Sequence, residues 1–223
     1  MSRSALVLGA TGLVGGHCLQ LLLKDETYAR VVAFVRKPLP LSHSKLESCV
    51  VDFEQLERAA EKARAQDVFC CLGTTIKQAG SQAAFRKVDF DYPYHAAQLA
   101  VRNGSEQFLL VSALGANARS AIFYNRVKGE IEAALATLPF RSLHLLQPSL
   151  LLGERSATRG GEKIGEYVFK ATAPLWAGPL RKYRPIAGRT VAAAMVHLAK
   201  QAQTGVHRHE SHVLQKLVDE LAR

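Results

Sequence analysis

No stretch of about 18 residues runs without a polar interruption, which excludes a membrane-spanning helix on hydropathy grounds. The four cysteines (Cys18, Cys49, Cys70, Cys71) form no CxxC and no His/Cys ligand spacing. A disulfide framework would be out of place in a chain of 223 residues, so they read as small buried hydrophobes in a reducing compartment, the cytoplasm. Vicinal Cys70 and Cys71 lie in an apolar run and point to opposite faces of a strand, which argues against a redox pair. Low-complexity tracts and repeats of solenoid period are both missing. Disorder is excluded too, because 48% apolar and 22% charged residues give material for a core. The length suits one domain, or one with a small appendage.

What is there in excess is positive charge: 29 Lys and Arg against 19 Asp and Glu, a net of +10. Residues 1–150 hold 17 basic and 13 acidic side chains, and residues 151–223 hold 12 and 6. The C-terminal third is therefore the basic part. A field of this sign attracts phosphorylated cofactors, acidic substrates, nucleic acid or anionic lipid, and sign alone does not choose among them.

The N-terminus imitates a signal peptide, with Arg3 before the apolar run from Ala5 to Val14. Cleavage there would destroy the clearest motif in the chain, and His17 sits before Cys18 where a lipobox has a small residue. Beyond it, short apolar runs alternate with helical stretches. Strands are expected at Ala5–Leu8, Val31–Val35, Ser48–Val51, Val68–Leu72, Phe108–Ser112 and Ser142–Gln147. Helices are expected from Gly12 to about Lys24, Phe53 to Ala65, Asp89 to Asn103 and Ala121 to Leu138. This order means right-handed βαβ units in a doubly wound parallel sheet of the α/β class. After Gly153 the texture turns to glycine, charge and aromatics, followed by helices at Gly188–Gln203 and Ser211–Ala222. That part is too short for an independent domain. It reads as a cap over the carboxyl ends of the strands, with 150–190 on the substrate side of a single domain of residues 1–223.

Gly9-Ala-Thr11-Gly12-Leu13-Val14-Gly15 follows the first strand directly and opens the first helix. In that context the glycines carry chemistry: one permits the tight turn, one lets a pyrophosphate approach the backbone, and one lets the helix pack on the sheet. The helix N-terminus then offers N–H groups and partial positive charge to the phosphates. A carboxylate near the end of the second strand would favour NAD(H) by binding the ribose hydroxyls. No acid lies between Thr27 and Leu46; the strand ends instead in Arg36-Lys37, about 20 residues beyond the turn. A guanidinium there fits a 2′-phosphate, so NADP(H) is the preferred cofactor and NAD(H) the alternative. The competing account of Arg36 and Lys37 is a solvated basic pair. Asp52, ending the third strand, suits an adenine amino group, with Phe53 against the ring; its other role is to cap the helix that follows.

GATGLVGG, Arg36-Lys37, Cys71-Leu-Gly-Thr-Thr75, Val88-Asp-Phe-Asp-Tyr92 and Tyr124-Asn-Arg-Val-Lys128-Gly-Glu together resemble the atypical short-chain dehydrogenase/reductases. The nearest likeness is to the Tat-interacting-protein-like oxidoreductase branch, from residue 4 to about 200. The resemblance implies a Rossmann fold, NADP(H) at the carboxyl ends of the strands, and a Ser-Tyr-Lys active site. It also implies that Lys128 holds the nicotinamide ribose and that Leu72, Gly73 and Thr74 pass close to the cofactor. Gln147-Pro148-Ser149 stands where the family usually has Arg-Pro-Gly lining the nicotinamide.

The chemistry of the site has its own argument. Tyr124 and Lys128 are i and i+4 on a helix and share a face. A tyrosine used as acid or base needs its pKa brought toward neutrality, and a nearby ammonium does this by stabilising the phenolate. Ser112, ending the fifth strand, can hydrogen-bond and orient a substrate carbonyl. The expected function is an NADP-dependent oxidoreductase acting on a small carbonyl or alcohol. The alternative is a dinucleotide sensor without turnover, as in related NmrA-like proteins, working through a protein partner. His207, His209 and His212 read as surface histidines rather than a metal site, since no carboxylate or cysteine completes a set. Segment 167–184, with Tyr167, Trp176, Arg181, Lys182 and Tyr183, reads first as a substrate lid, then as a partner or homo-oligomer contact, and last as a nucleic-acid surface.

Overall fold

The computed structural model describes residues 2–153, 182–201 and 203–223. Its first six strands are β1 (Arg3–Leu8), β2 (Tyr28–Val35), β3 (Leu46–Val50), β4 (Asp67–Cys70), β5 (Gln107–Val111) and β6 (Ser142–Gln147). Two short strands follow, β7 (Leu151–Leu152) and β8 (Ile186–Ala187), and then β9 (Gly205–Glu210). Seven of them form one parallel sheet in the order β3-β2-β1-β4-β5-β6-β9, while β7 and β8 pair with each other. The order reverses between β1 and β4, which opens a crevice at their carboxyl ends where ligands bind in such sheets.

The strand sequences explain the two-sided burial. Ala5, Val7, Val31, Ala33 and Val35 face one apolar layer, and Leu6, Leu8, Val32 and Phe34 face the other. Alternate residues of a strand point to opposite faces, so near-continuous apolar runs suit a sheet covered on both sides. One cover is made of α1 (Leu13–Lys24) with the C-terminal helices. The other contains the 3₁₀ turn Leu56–Ala63, α4 (Tyr92–Arg102) and α5 (Phe123–Leu135). α1 buries Val14, Cys18, Leu19, Leu22 and Leu23. Truncating one such leucine to alanine costs about 2–5 kcal/mol.

Several elements depart from expectation. The helix expected over 53–65 is the 3₁₀ stretch Leu56–Ala63, in which only Leu56 and Ala63 are buried. Two short helices, α2 (Ile76–Ala79) and α3 (Gln82–Arg86), lie where none was expected. Their caps are local: the Thr75 and Ser81 hydroxyls accept from the Gln78 and Ala84 N–H groups, each at 3.1 Å. The helix expected from Asp89 begins instead as a π turn at Lys87–Asp91 that runs into α4.

The C-terminal elements α6 (Gly188–Lys200), β9 and α7 (Ser211–Leu221) do not sit as a cap. α6 packs beside α1, β9 extends the sheet beyond β6, and α7 covers β6 and β9. Their apolar faces (Val191, Met195, Leu198, Leu214) belong to the same core as α1, which is why they join the layers. Most of the segment expected as the cap or lid, residues 154–181, lies outside the described residues.

Candidate functional site

The turn between β1 and α1 is built for close approach. Gly9 has φ +82°, a left-handed conformation that side chains disfavour. A Cβ on Gly15 would lie 2.1 Å from the Gly9 carbonyl oxygen, so the helix start and the turn touch backbone to backbone. Gly12 is the N-cap and supplies no side-chain hydrogen bond to the first turn of α1. The N–H groups there are left for another acceptor, the role a diphosphate takes. Thr11 and Gly12 are exposed. Val14 is buried, and the Leu13 side chain packs where Cβ atoms on Gly153 and Gly188 would fall. Those two residues therefore offer a ligand their backbone alone. These features fit a pyridine dinucleotide.

Arg36 and Lys37 follow the last residue of β2, are exposed, and form no ion pair among the described residues. Asp52 is exposed as well, and its Oδ1 accepts the Glu54 N–H at 2.9 Å in a local turn; the 3₁₀ stretch that follows has Gln55 as its N-cap, so Asp52 does not take the capping role set against adenine binding. Phe53 changes the expectation. Its ring is 5% exposed and packs on Tyr92 with centroids 5.5 Å apart, so it belongs to the core and has little face left for an adenine.

Across the crevice, the half-buried Tyr124 lies in the first turn of α5. Its ring lies 5.5 Å from that of Phe85, and its hydroxyl makes no hydrogen bond among the described residues. Lys128 lies one turn further on and is 4% exposed. Its Nζ is 2.7 Å from Asp89 Oδ1. Burial pushes the Lys128 ammonium down, but attraction to the Asp89 carboxylate and Tyr124 outweighs it, so its pKa stands above the ordinary lysine value. Leu72, Gly73 and Thr74 leave β4 beside this pair, and the Thr74 N–H donates to Asp89 Oδ2 at 2.9 Å. Tyr124, Lys128 and the loop after β4 are thus brought together.

Ser112 is not. Its hydroxyl donates to Glu132 Oε1 at 2.5 Å and is 4% exposed. Glu132 lies eight residues beyond Tyr124, about 12 Å along the helix axis. In this arrangement the Ser112 proton is committed to the buried Glu132 carboxylate, so it is not offered to a substrate carbonyl, the role expected of it. Gln147 donates to both Glu132 oxygens at 2.9 and 3.0 Å, and Arg208 of β9 reaches Oε2 at 3.4 Å. Pro148 is buried, and its carbonyl accepts the Leu114 N–H at 2.8 Å, which ties the loops after β5 and β6 together.

Sequence reasoning missed two buried carboxylates, Asp89 and Glu132. Glu132 carried a signal: it stands at i+4 from Lys128 on the face that Tyr124 shares. The histidines also differ from expectation. His207 and His209 of β9 stack on the buried His144 of β6, with centroids 5.2 and 5.3 Å away, so they are half-buried along one face of the strand rather than free in solvent. His212 stands apart, 3.6 Å from Glu210. No group of three metal-ligating side chains forms among the described residues. Cys70 and Cys71 do face opposite layers, and Cys71 Sγ lies 3.8 Å from Met195 Sδ.

Comparison with known proteins bears on the family and the fold. A family model described as NAD(P)H-binding matches residues 9–138. The protein HTATIP2 of Rattus norvegicus is 36% identical over 180 residues, covering 79% of this chain and 74% of that protein. The protein FMP52-1, mitochondrial, of Scheffersomyces stipitis is 34% identical over 206 residues, 89% of each chain. Among solved structures, the Bordetella bronchiseptica enzyme WbmH in complex with NAD+ superposes with a TM-score of 0.68 at 13% identity, covering 100% of this chain and 81% of that one. The UDP-glucose 4-epimerase of Thermotoga maritima gives 0.67 at 14% identity, covering 98% and 82%. The last two likenesses establish the fold, a Rossmann sheet.

Proposed function

The chain belongs to the NAD(P)H-binding family, on the branch that includes HTATIP2, and from that premise we propose that it is an NADP-dependent oxidoreductase of the short-chain dehydrogenase/reductase type acting on a small carbonyl or alcohol. One observation carries the reading: an unbonded Tyr124 hydroxyl beside a buried, charged Lys128, across the crevice from the uncapped start of α1. The α1 turn holds the diphosphate, Arg36 the 2′-phosphate, and Lys128 the ribose of the nicotinamide. When bound, the cofactor supplies or accepts hydride at the carbonyl carbon. Tyr124 gives its phenolic proton to the carbonyl oxygen in reduction and takes it back in oxidation. General acid–base catalysis of this kind contributes about 10²–10⁴-fold, so Tyr124→Phe lowers turnover of NADPH with an aromatic aldehyde or quinone by that factor. An activity that survives the substitution intact overturns the mechanism. Calorimetric uptake of neither pyridine nucleotide by folded protein overturns the cofactor.

The Ser112–Glu132 hydrogen bond favours a second reading. With the Ser112 proton committed to Glu132, the same fold suits a sensor that binds NADP(H) and acts through a protein partner. It predicts tight NADPH binding and no turnover across a broad carbonyl panel. No helix among the described residues is long and apolar enough to cross a membrane. We place the protein in the cytoplasm; the yeast relative bears a mitochondrial name, and cell fractionation decides between the two.

A further inference from the structure

Lys128 does not act on Tyr124 alone. Its ammonium and the Asp89 carboxylate lie 2.7 Å apart, and their side chains are 5% and 1% exposed. Asp89 sits in the π turn at Lys87–Asp91, an irregularity that often marks functional positions in helices. Its second oxygen holds the Thr74 N–H, so one carboxylate fixes both the lysine and the loop that leaves β4. Gly73 closes over the pair: a Cβ there would fall 3.5 Å from Asp89 Oδ1 and 3.8 Å from Lys128 Nζ. The charged and titratable groups facing the ammonium are Asp89 from the π turn, Tyr124 from its own helix, and Cys70 from β4. Burial pushes the Cys70 thiol up to about 12, so it stays neutral. Asp89 is the full negative charge among them.

An isolated ammonium beside a phenol stabilises the phenolate, whereas an ammonium paired with a carboxylate presents a dipole whose field falls off faster. We propose that Asp89 is a positioning residue that offsets the Lys128 charge at Tyr124, so that the phenol holds its proton more tightly than it would beside an unpaired ammonium and the site is biased toward donating that proton to a carbonyl. In that step the Tyr124 O–H bond breaks as the O–H bond of the alcohol forms, and the phenolate regains a proton from water. The bias toward reduction rests on the oxidoreductase reading above. The electrostatic role does not, because it can be read without cofactor or substrate.

Tyrosinate absorbance, followed against pH on the whole cofactor-free protein, tests it. Wild type and Asp89→Asn are each compared with their Tyr124→Phe counterparts, so that the difference isolates one of the six tyrosines. Tyr124 ionises about one pH unit or more lower in Asp89→Asn than in wild type. Coincident midpoints overturn the proposal, even if NADPH-dependent turnover is intact. A shifted midpoint supports the electrostatic role even if no turnover is found, in which case the oxidoreductase reading falls by itself. Should Asp89→Asn not fold, Asp89→Asn/Lys128→Met removes both buried charges, a milder change than removing one. Its Tyr124 midpoint lies within about half a unit of wild type, and a larger displacement overturns the proposal.

Discussion

The sheet has two ends, and each holds a buried aspartate. At the amino ends Asp67 is fully satisfied: Arg3 at 2.5 Å and Gln107 at 2.9 Å on one oxygen, Tyr28 at 2.7 Å on the other. Burial, with the Asp67 charge, pushes the Tyr28 phenol well above the ordinary tyrosine range, which fixes it as a hydrogen-bond donor. At the carboxyl ends Asp89 is equally buried, but its neighbours are the uncovered Tyr124 hydroxyl and the loop after β4. Around them stand groups without internal partners, namely the uncapped start of α1 and the exposed Arg36 and Lys37. At the amino ends the Asp67 carboxylate is bonded through both oxygens to neighbours within the fold; at the carboxyl ends the Lys128–Asp89 pair stands beside a Tyr124 hydroxyl and an α1 start that no described side chain takes up. The same residue type therefore serves stability at one end and function at the other, and its surroundings decide which.

The largest expected effect separates the two ends by stability. Asp67→Ala leaves Arg3, Tyr28 and Gln107 without their shared acceptor. Removing one member of a buried ionic network costs about 3–5 kcal/mol. Urea denaturation should show that loss, while the NADPH affinity of the fraction that remains folded stays within about twofold of wild type, since the crevice lies at the other end. A parallel collapse of NADPH affinity in fully folded protein would mean that the ends are not independent. The smaller, opposite effect belongs to Arg36→Asp. A charge-assisted hydrogen bond contributes about 1.5–3 kcal/mol, so NADPH should bind about 10- to 100-fold more weakly with little change for NADH. Equal losses for both nucleotides would remove Arg36 as the reader of the 2′-phosphate.

The sequence displayed one end far better than the other. The glycine turn, Arg36-Lys37 and the Tyr124/Lys128 pair are local patterns, legible because a turn, a strand end and a helix face each fit within a few residues. The six central strands were legible for a similar reason, as apolar runs bounded by polar residues. β9 was not, because Val206, its one large apolar residue, is 44% exposed, and histidines take the inward positions. Ser112 was misjudged because its partner lies on α5, twenty residues away in the chain. Asp89 stood inside a recognised motif, but its link to Lys128 depends on a π turn that no helical periodicity announces. Long-range pairing of buried polar groups is the part that composition and spacing do not encode.

The histidine stack extends the contrast between the two ends to the edge of the sheet, with the smallest effect. His144 Nδ1 and His209 Nε2 are 3.1 Å apart, and Ser142 Oγ lies 3.0 Å from His144 Nε2. Burial, and then the neighbouring imidazoles, push both His144 and His209 down to about 4. Above the ordinary histidine value of about 6.5, folded and unfolded chains are both neutral at these sites and stability does not change. As pH falls toward 4, the unfolded chain takes up protons that the folded stack refuses, so stability drops, and below about 4 the loss stops growing. Between pH 7 and pH 5 two such groups would cost about 3–4 kcal/mol at full strength, which solvent at the half-exposed His209 ring screens to on the order of 1–2 kcal/mol. Urea midpoints measured across that range would show the slope, and His209→Gln should flatten it by removing one of the two refusing groups. Identical slopes in the two proteins would show that β9 is not held to β6 by neutral imidazoles.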